Sequence, residues 1–181
     1  MDVYDSLSEL NSPASWVTIG TFDGLHLGHQ ALIHQTVEGA HRKGLPAVVV
    51  TFFPSPGVVL GKVARPMYLL APEQKSVLLA EMGVDAQVLL HFDHELSLLT
   101  AEQFVQLLVR YLGMRHLVVG EDFALGHNRE GNISRLKELS GPYGFTVDVM
   151  PQVSVGGERV SSSRVRKALL EGRVDEAAAL L

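Results

Sequence analysis

At 181 residues, 46% hydrophobic and 19% charged, the chain has the size and composition of one globular domain with a substantial core. A net charge of −5 argues against a general nucleic-acid surface, so an anionic ligand must meet positive charge concentrated locally. The lack of cysteine excludes disulfides, a thiol nucleophile and a cysteine zinc site. Met1 to Pro13 carries acidic residues and no apolar core, unlike a secretory signal. No uninterrupted apolar run approaches the ~20 residues of a membrane span, and a cytoplasmic location is expected.

In chain order, the apolar run Trp16 to Ile19 reads as a strand, and a helical pattern follows from Gln30 to Arg42. Between them lies Gly20-Thr21-Phe22-Asp23-Gly24-Leu25-His26-Leu27-Gly28-His29. Ala47 to Phe53 is a β-branched, apolar strand, and Glu73 to Met82 reads as a helix with Lys75 on its surface. Gln87 to Leu90 is the next strand. His91 and His94 read as part of a solvated loop rather than a metal pair. Thr100 opens a capping box with Gln103, and Phe104, Leu107, Leu108, Tyr111 and Leu112 form an apolar stripe. Leu117 to Val119 is a further strand. Asn132 to Ser140 is expected to be a short helix ended by Gly141-Pro142. Phe145 to Met150 is a strand, Ser163 to Glu171 a helix stopped by Gly172, and Val174 to Leu181 another. Such alternation predicts an α/β fold with a central parallel sheet of about five strands and helices on both faces. Ligands then lie beyond the carboxyl ends of the strands.

The motif places two histidines where a strand hands over to a helix, a position whose free N–H groups and dipole favour bound phosphate. Gly20, Gly24 and Gly28 let the backbone turn tightly and approach a ligand. Neither G-x-G-x-x-G nor a P-loop is present. His26 and His29 read either as phosphate ligands or as helix-cap residues; a zinc pair lacks a third ligand at fitting spacing. Asp23 reads either as a carboxylate helping to hold Mg²⁺ or as a residue shaping the turn. Phe22 either packs under a ligand or joins the core. Basic charge gathers toward the C-terminus at Arg159, Arg164, Arg166, Lys167 and Arg173.

The motif resembles the G-x-F-D-G-x-H-x-G-H signature of the bacterial FAD synthetases, the FMN adenylyltransferases of the HxGH nucleotidylyltransferase superfamily. Phe53-Pro54-Ser55-Pro56, Gly120-Glu121-Asp122-Phe123 and Val160-Ser161-Ser162-Ser163-Arg164-Val165-Arg166 fit that family in order, the last being similar to I-S-S-T-x-I-R. The resemblance runs from about Trp16 to the C-terminus. It implies a Rossmann-like nucleotidylyltransferase fold and transfer of the ATP adenylyl group to FMN, giving FAD and pyrophosphate, with Mg²⁺ accompanying ATP.

By the same resemblance His26, His29 and Arg166 are the catalytic residues. Gly20, Thr21, Phe22, Asp23, Gly24, Gly28, Gly120, Ser162 and Ser163 surround ATP. Phe53, Asp122, Phe123 and Asn128 face the flavin, and no residue is assigned as a metal ligand. Arg164 is expected to turn to solvent. The chain departs from the family pattern at Ser163 for threonine, Ser55 for a frequent histidine, and Ala124-Leu125 for a frequent Arg-Phe. The resemblance further implies that residues 1–181 are one adenylyltransferase domain, with the riboflavin kinase domain of the bifunctional enzymes absent from this chain. The competing readings are a nucleotidylyltransferase for another phosphorylated acceptor and a flavin- or nucleotide-binding module without turnover.

Overall fold

In the computed structural model, which describes residues 1–63 and 67–181, the chain opens with a short strand, β1 (Asp2–Tyr4), and a single helical turn, α1 (Leu7–Leu10). There follow β2 (Ser15–Ile19), α2 (Leu27–Arg42), β3 (Ala47–Phe53), the turn α3 (Pro56–Val59), α4 (Pro72–Glu81) and β4 (Ala86–His91). The second half runs through α5 (His94–Leu98), α6 (Ala101–Leu112) and β5 (Met114–Gly120). A hairpin of β6 (Ala124–Leu125) and β7 (Gly131–Asn132) brackets a 3-10 turn at His127–Arg129. The chain closes with α7 (Ile133–Tyr143), β8 (Thr146–Met150), a hairpin of β9 (Ser154–Val155) and β10 (Glu158–Arg159), α8 (Ser162–Leu170) and α9 (Val174–Leu180).

The central sheet has six strands in the order β1-β4-β3-β2-β5-β8, every pair parallel. The sixth strand, beyond the five expected, is β1. Its three residues are too few to show an apolar period, and it sits exposed at the sheet edge. β2 and β3 are buried on both faces, as helices on each side require. Alternate residues divide between two cores. Val17, Ile19, Val48, Val50 and Val88 meet α6 and α7 through Phe104, Leu108 and Leu136, whereas Trp16, Val49 and Val118 meet α2 and α4 through Ile33, Val37 and Leu79.

Several predicted boundaries move. α2 starts at Leu27 rather than Gln30, because His26 itself caps it. α7 runs past Gly141-Pro142 to Tyr143 and is ended by Gly144 at φ 69°. A proline in the last turn forfeits only one helical bond, and Gly144 supplies the left-handed conformation that a C-cap favours. His91 ends β4 and His94 opens α5 behind the N-cap Asp93, so neither lies in a loop, though both are exposed.

Strand order reverses at β2, which has β3 on one side and β5 on the other. That switch point opens a crevice beyond the carboxyl ends of β2 and β5, where the glycine-rich motif and Gly120 lie. α8 and α9 form a separate small core through Val160, Val165, Ala168, Ala177 and Leu180, and pack against the same end through Leu27 and Leu69.

Candidate active site

The turn from β2 into α2 is tightly wound. Phe22, Gly24 and Leu25 have φ of 48°, 81° and 44°, all left-handed. For two bulky residues this is strained backbone, sustained only where surrounding contacts hold it. Phe22 is 1% exposed and packs in the core with Trp16, Ile33 and Val118. The edge of the Phe22 ring meets the His29 ring at 5.2 Å between centroids. Gly24 sits at a φ where any side chain is strained, and a Cβ there would also come within 2.6 Å of Leu69 Cδ1, which would have to shift.

His26 and His29 stack, with ring centroids 3.6 Å apart and planes at 18°. His26 Nδ1 accepts the His29 backbone N–H at 3.3 Å, which leaves the His26 proton on Nε2. Burial drives the His26 imidazole down to about 4, aided by the Arg159 charge and opposed by its own backbone hydrogen bond and by Asp23. His29 is held well below the usual imidazole value by burial first, then by His26 and Lys75. Both rings are therefore neutral near pH 7. His29 Nδ1 is buried without a partner among the described residues. A proton there would be an orphaned donor, so it belongs on Nε2, where it can be offered to a ligand.

The Asp23 carboxylate takes the contacts of a turn-shaping residue. It accepts the N–H groups of Leu69 and Leu70 at 2.9 and 3.2 Å and pairs with Arg166. Arg166 Nε also donates to the Met67 carbonyl at 2.7 Å. Ser162 Oγ donates to the Asp23 carbonyl at 2.7 Å. The first motif and the C-terminal serine–arginine segment, far apart in sequence, thus meet directly. Ser161 is the N-cap of α8, accepting the Arg164 N–H, while Ser163 is exposed. Arg164 does not turn to solvent. It binds Glu176 and the carbonyls of Val155 and Glu158, fastening the β9–β10 hairpin to α9.

On the far side of β5, an open cleft of about 460 Å³ is lined by Asp122, Phe123, Ala124, Arg129, Asn132 and Ile133, among others. Asn128 stands beside it in the 3-10 turn with φ 54°. Arg159 Nη2 donates to the Asp122 carboxylate at 2.6 Å, and Arg129 to the Asp122 carbonyl at 2.8 Å. Phe53 is not brought to this cleft. It lines a second, smaller hollow with Thr21, Ser55, Tyr68 and Lys75, its ring 5.3 Å from that of Tyr68. Among the described residues no cluster of three or more His, Asp or Glu side chains could hold a metal ion.

The structure also overturns the expectation for Lys75. Lys75 is not a surface residue; it is 5% exposed, and its Nζ donates to the Thr21 carbonyl at 2.8 Å and to Thr51 Oγ1 at 3.1 Å. A signal was present, since Lys75 precedes buried Leu79 by one helical turn and shares its inward face. Arg159 was legible only as local charge. That it pairs with Asp122 and that its charge reaches His26 depend on a hairpin no periodicity announces.

A sequence model of the FAD synthetase family matches residues 8–164. The chain belongs to the FAD synthetase family. Among curated relatives, the bifunctional riboflavin kinase/FMN adenylyltransferase of Escherichia coli strain K12 is 36% identical over 97% of this chain and 56% of its own length. The protein of the same description from Pseudomonas fluorescens is 40% identical over 91% of this chain and 53% of its own. The chain thus spans little more than half the length of these family members. A crystal structure described as a macrolide-efflux protein from Streptococcus pneumoniae superposes with a TM-score of 0.86 at 30% identity, covering 99% of this chain and 60% of that one. Among the described residues of the present chain no helix is long and apolar enough to cross a membrane.

Proposed function

We propose that the chain is an FMN adenylyltransferase, transferring the adenylyl group of ATP to the phosphate of FMN to give FAD and pyrophosphate. The observation that carries this reading is the stacked, neutral His26–His29 pair at the β2–α2 turn, with Ser162 and Arg166 fastened beside it. Family membership and the cleft beyond β5 support it.

A phosphate oxygen of FMN attacks the α-phosphorus of ATP in line. A new P–O bond forms as the bond from that phosphorus to the bridging oxygen of the β-phosphate breaks, and pyrophosphate leaves with the electron pair. The attacking phosphate has a second pKa of about 6, so it is already ionised near pH 7 and needs no general base. What the reaction demands is positioning and neutralisation of developing charge. His29 Nε2–H and His26 Nε2–H supply neutral donors, and Arg166 supplies charge. Gly20, Thr21, Phe22, Gly24, Gly28 and Gly120 form the backbone surface for ATP, with Ser163 at the start of α8. Asp122, Phe123 and Asn128 serve the flavin. Asp23 acts by holding the turn and Arg166. The Mg²⁺ that accompanies ATP enters with it as part of the substrate.

Residues 1–181 are read as one adenylyltransferase domain acting in the cytoplasm, with a riboflavin kinase domain as its neighbour in a longer protein. The partial coverage of the bifunctional relatives supports that reading. The test is to incubate the purified chain with Mg²⁺-ATP and a panel of phosphorylated acceptors and measure pyrophosphate and the adenylylated product. FAD from FMN is expected. Pyrophosphate release with a different acceptor and none with FMN would overturn the assignment.

A further inference from the structure

Building on the ATP-binding reading of the β2–α2 turn, we propose that Lys75 is a positioning residue that holds the Thr21–Phe22 peptide with its N–H turned toward the phosphates of ATP. The peptide is trans, so its carbonyl and N–H point in opposite directions. The Thr21 carbonyl is drawn inward by two donors, Lys75 Nζ at 2.8 Å and Thr51 Oγ1 at 3.2 Å, while Lys75 also reaches Thr51 Oγ1. The Phe22 N–H therefore faces outward, and it donates to no group among the described residues. Without that inward grip, Phe22 at φ 48° has a strong tendency to relax, because a buried aromatic side chain in the left-handed region is strained. Relaxation would turn the N–H away from the site.

No carboxylate touches the Lys75 ammonium among the described residues; Asp23, whose charge acts on it through space, is paired with Arg166. Burial lowers the lysine to about 8, with Asp23 opposing the shift. The titratable groups facing it are Asp23 from the turn, neutral His29 from α2 and Tyr68 from the segment before α4; β3 presents only Thr51. A purely structural Lys75 would show its loss in melting temperature, because the Thr21 carbonyl and Thr51 hydroxyl are left short of a donor, and not in kcat/KM for ATP of the folded enzyme.

The experiment measures melting temperature, ATP affinity and initial rates of FAD formation from pH 6.5 to 9 for the wild type, K75M and K75R. In K75M, kcat/KM for ATP is expected to fall by about 10²-fold, the loss typical of a misplaced catalytic contact, while KM for FMN stays the same. The wild-type rate should decline as pH rises through about 8 with the fold intact, and K75M should lack that limb. K75R should retain part of the activity. A stable K75M with wild-type kcat/KM for ATP, or a wild-type rate that stays flat to pH 9, would overturn the proposal. If K75M does not fold, Thr51→Val decides, because it removes the second donor to the Thr21 carbonyl: a lower kcat/KM for ATP at unchanged KM for FMN supports the grip, and a wild-type value overturns it. If the wild type makes no FAD, the adenylyltransferase reading fails separately. ATP affinity then decides for Lys75: weaker binding in K75M at pH 7 supports the grip, and equal binding overturns it.

Discussion

Burial of the two histidines links the site to acid stability. His26 has its pKa lowered from 6.5 to about 4 in the folded protein, so between those values the unfolded chain binds the extra proton. Its contribution to stability is present above pH 6.5 and is lost as pH falls through about 4. That loss is on the order of 3 kcal/mol, because each tenfold change in proton affinity is worth roughly 1.4 kcal/mol. His29 and His116 are shifted in the same direction, also chiefly by burial. The melting temperature should therefore drop between pH 6.5 and 4, and His26→Asn should flatten the drop. A melting temperature unchanged across that range would show that the rings are not held neutral. The capping role belongs to His26, not His29. His29→Ala should fold, bind ATP and lose about 10²–10³ in kcat. His26→Ala should lose turnover and also about 1 kcal/mol of stability as a removed N-cap. Gln87 gives an independent test, since both polar atoms of its buried amide lack partners among the described residues. Gln87→Leu should raise stability by about 1–3 kcal/mol in urea denaturation, with activity unaltered.

At the scale of elements, α2 must lie close against β2 for the turn between them to be so tight. Gly39 makes that approach possible, because a Cβ there would fall within the Trp16 ring. Gly39→Ala should destabilise by about 1–3 kcal/mol or more through overpacking, which thermal unfolding would show. Trp16 to Ile19, Ala47 to Phe53 and the helix after Thr100 were legible because their signals are local. The Thr100–Gln103 capping box, for example, forms both of its reciprocal bonds. β1 was illegible because three residues carry no period and pair only with β4, more than eighty residues on. The end of α7 was misjudged because Gly-Pro reads as a stop, while the helix tolerates proline in its last turn. In the site, the histidine and serine–arginine motifs were legible from residue type and spacing. Arg159 was not, and Lys75 was legible only as an inward-facing helix position, because their meaning depends on groups such as Thr51 and Asp122 that only tertiary packing brings near.

For the whole molecule, the decisive feature is that one end of one sheet collects the residues that the proposed chemistry uses. β2 ends in the histidine turn, β5 ends at Gly120 beside the cleft, and α8 is fastened to the histidine turn through the contacts of Ser162 and Arg166 with Asp23. The switch in strand order at β2 creates the crevice, and the hairpins flanking α7 and α8 furnish its walls. In the proposed reaction two substrates meet across that edge, ATP phosphates over the turn and flavin in the cleft beyond β5. The most direct test is a crystal structure of the chain with a non-hydrolysable ATP analogue and FMN. It should place the α-phosphate within hydrogen-bond reach of His29 Nε2, the Phe22 N–H directed at the phosphates, and FMN between Phe123 and the Asn128 turn. Nucleotide bound away from the β2–α2 turn, or FMN in the hollow lined by Phe53 and Tyr68, would contradict the proposed arrangement.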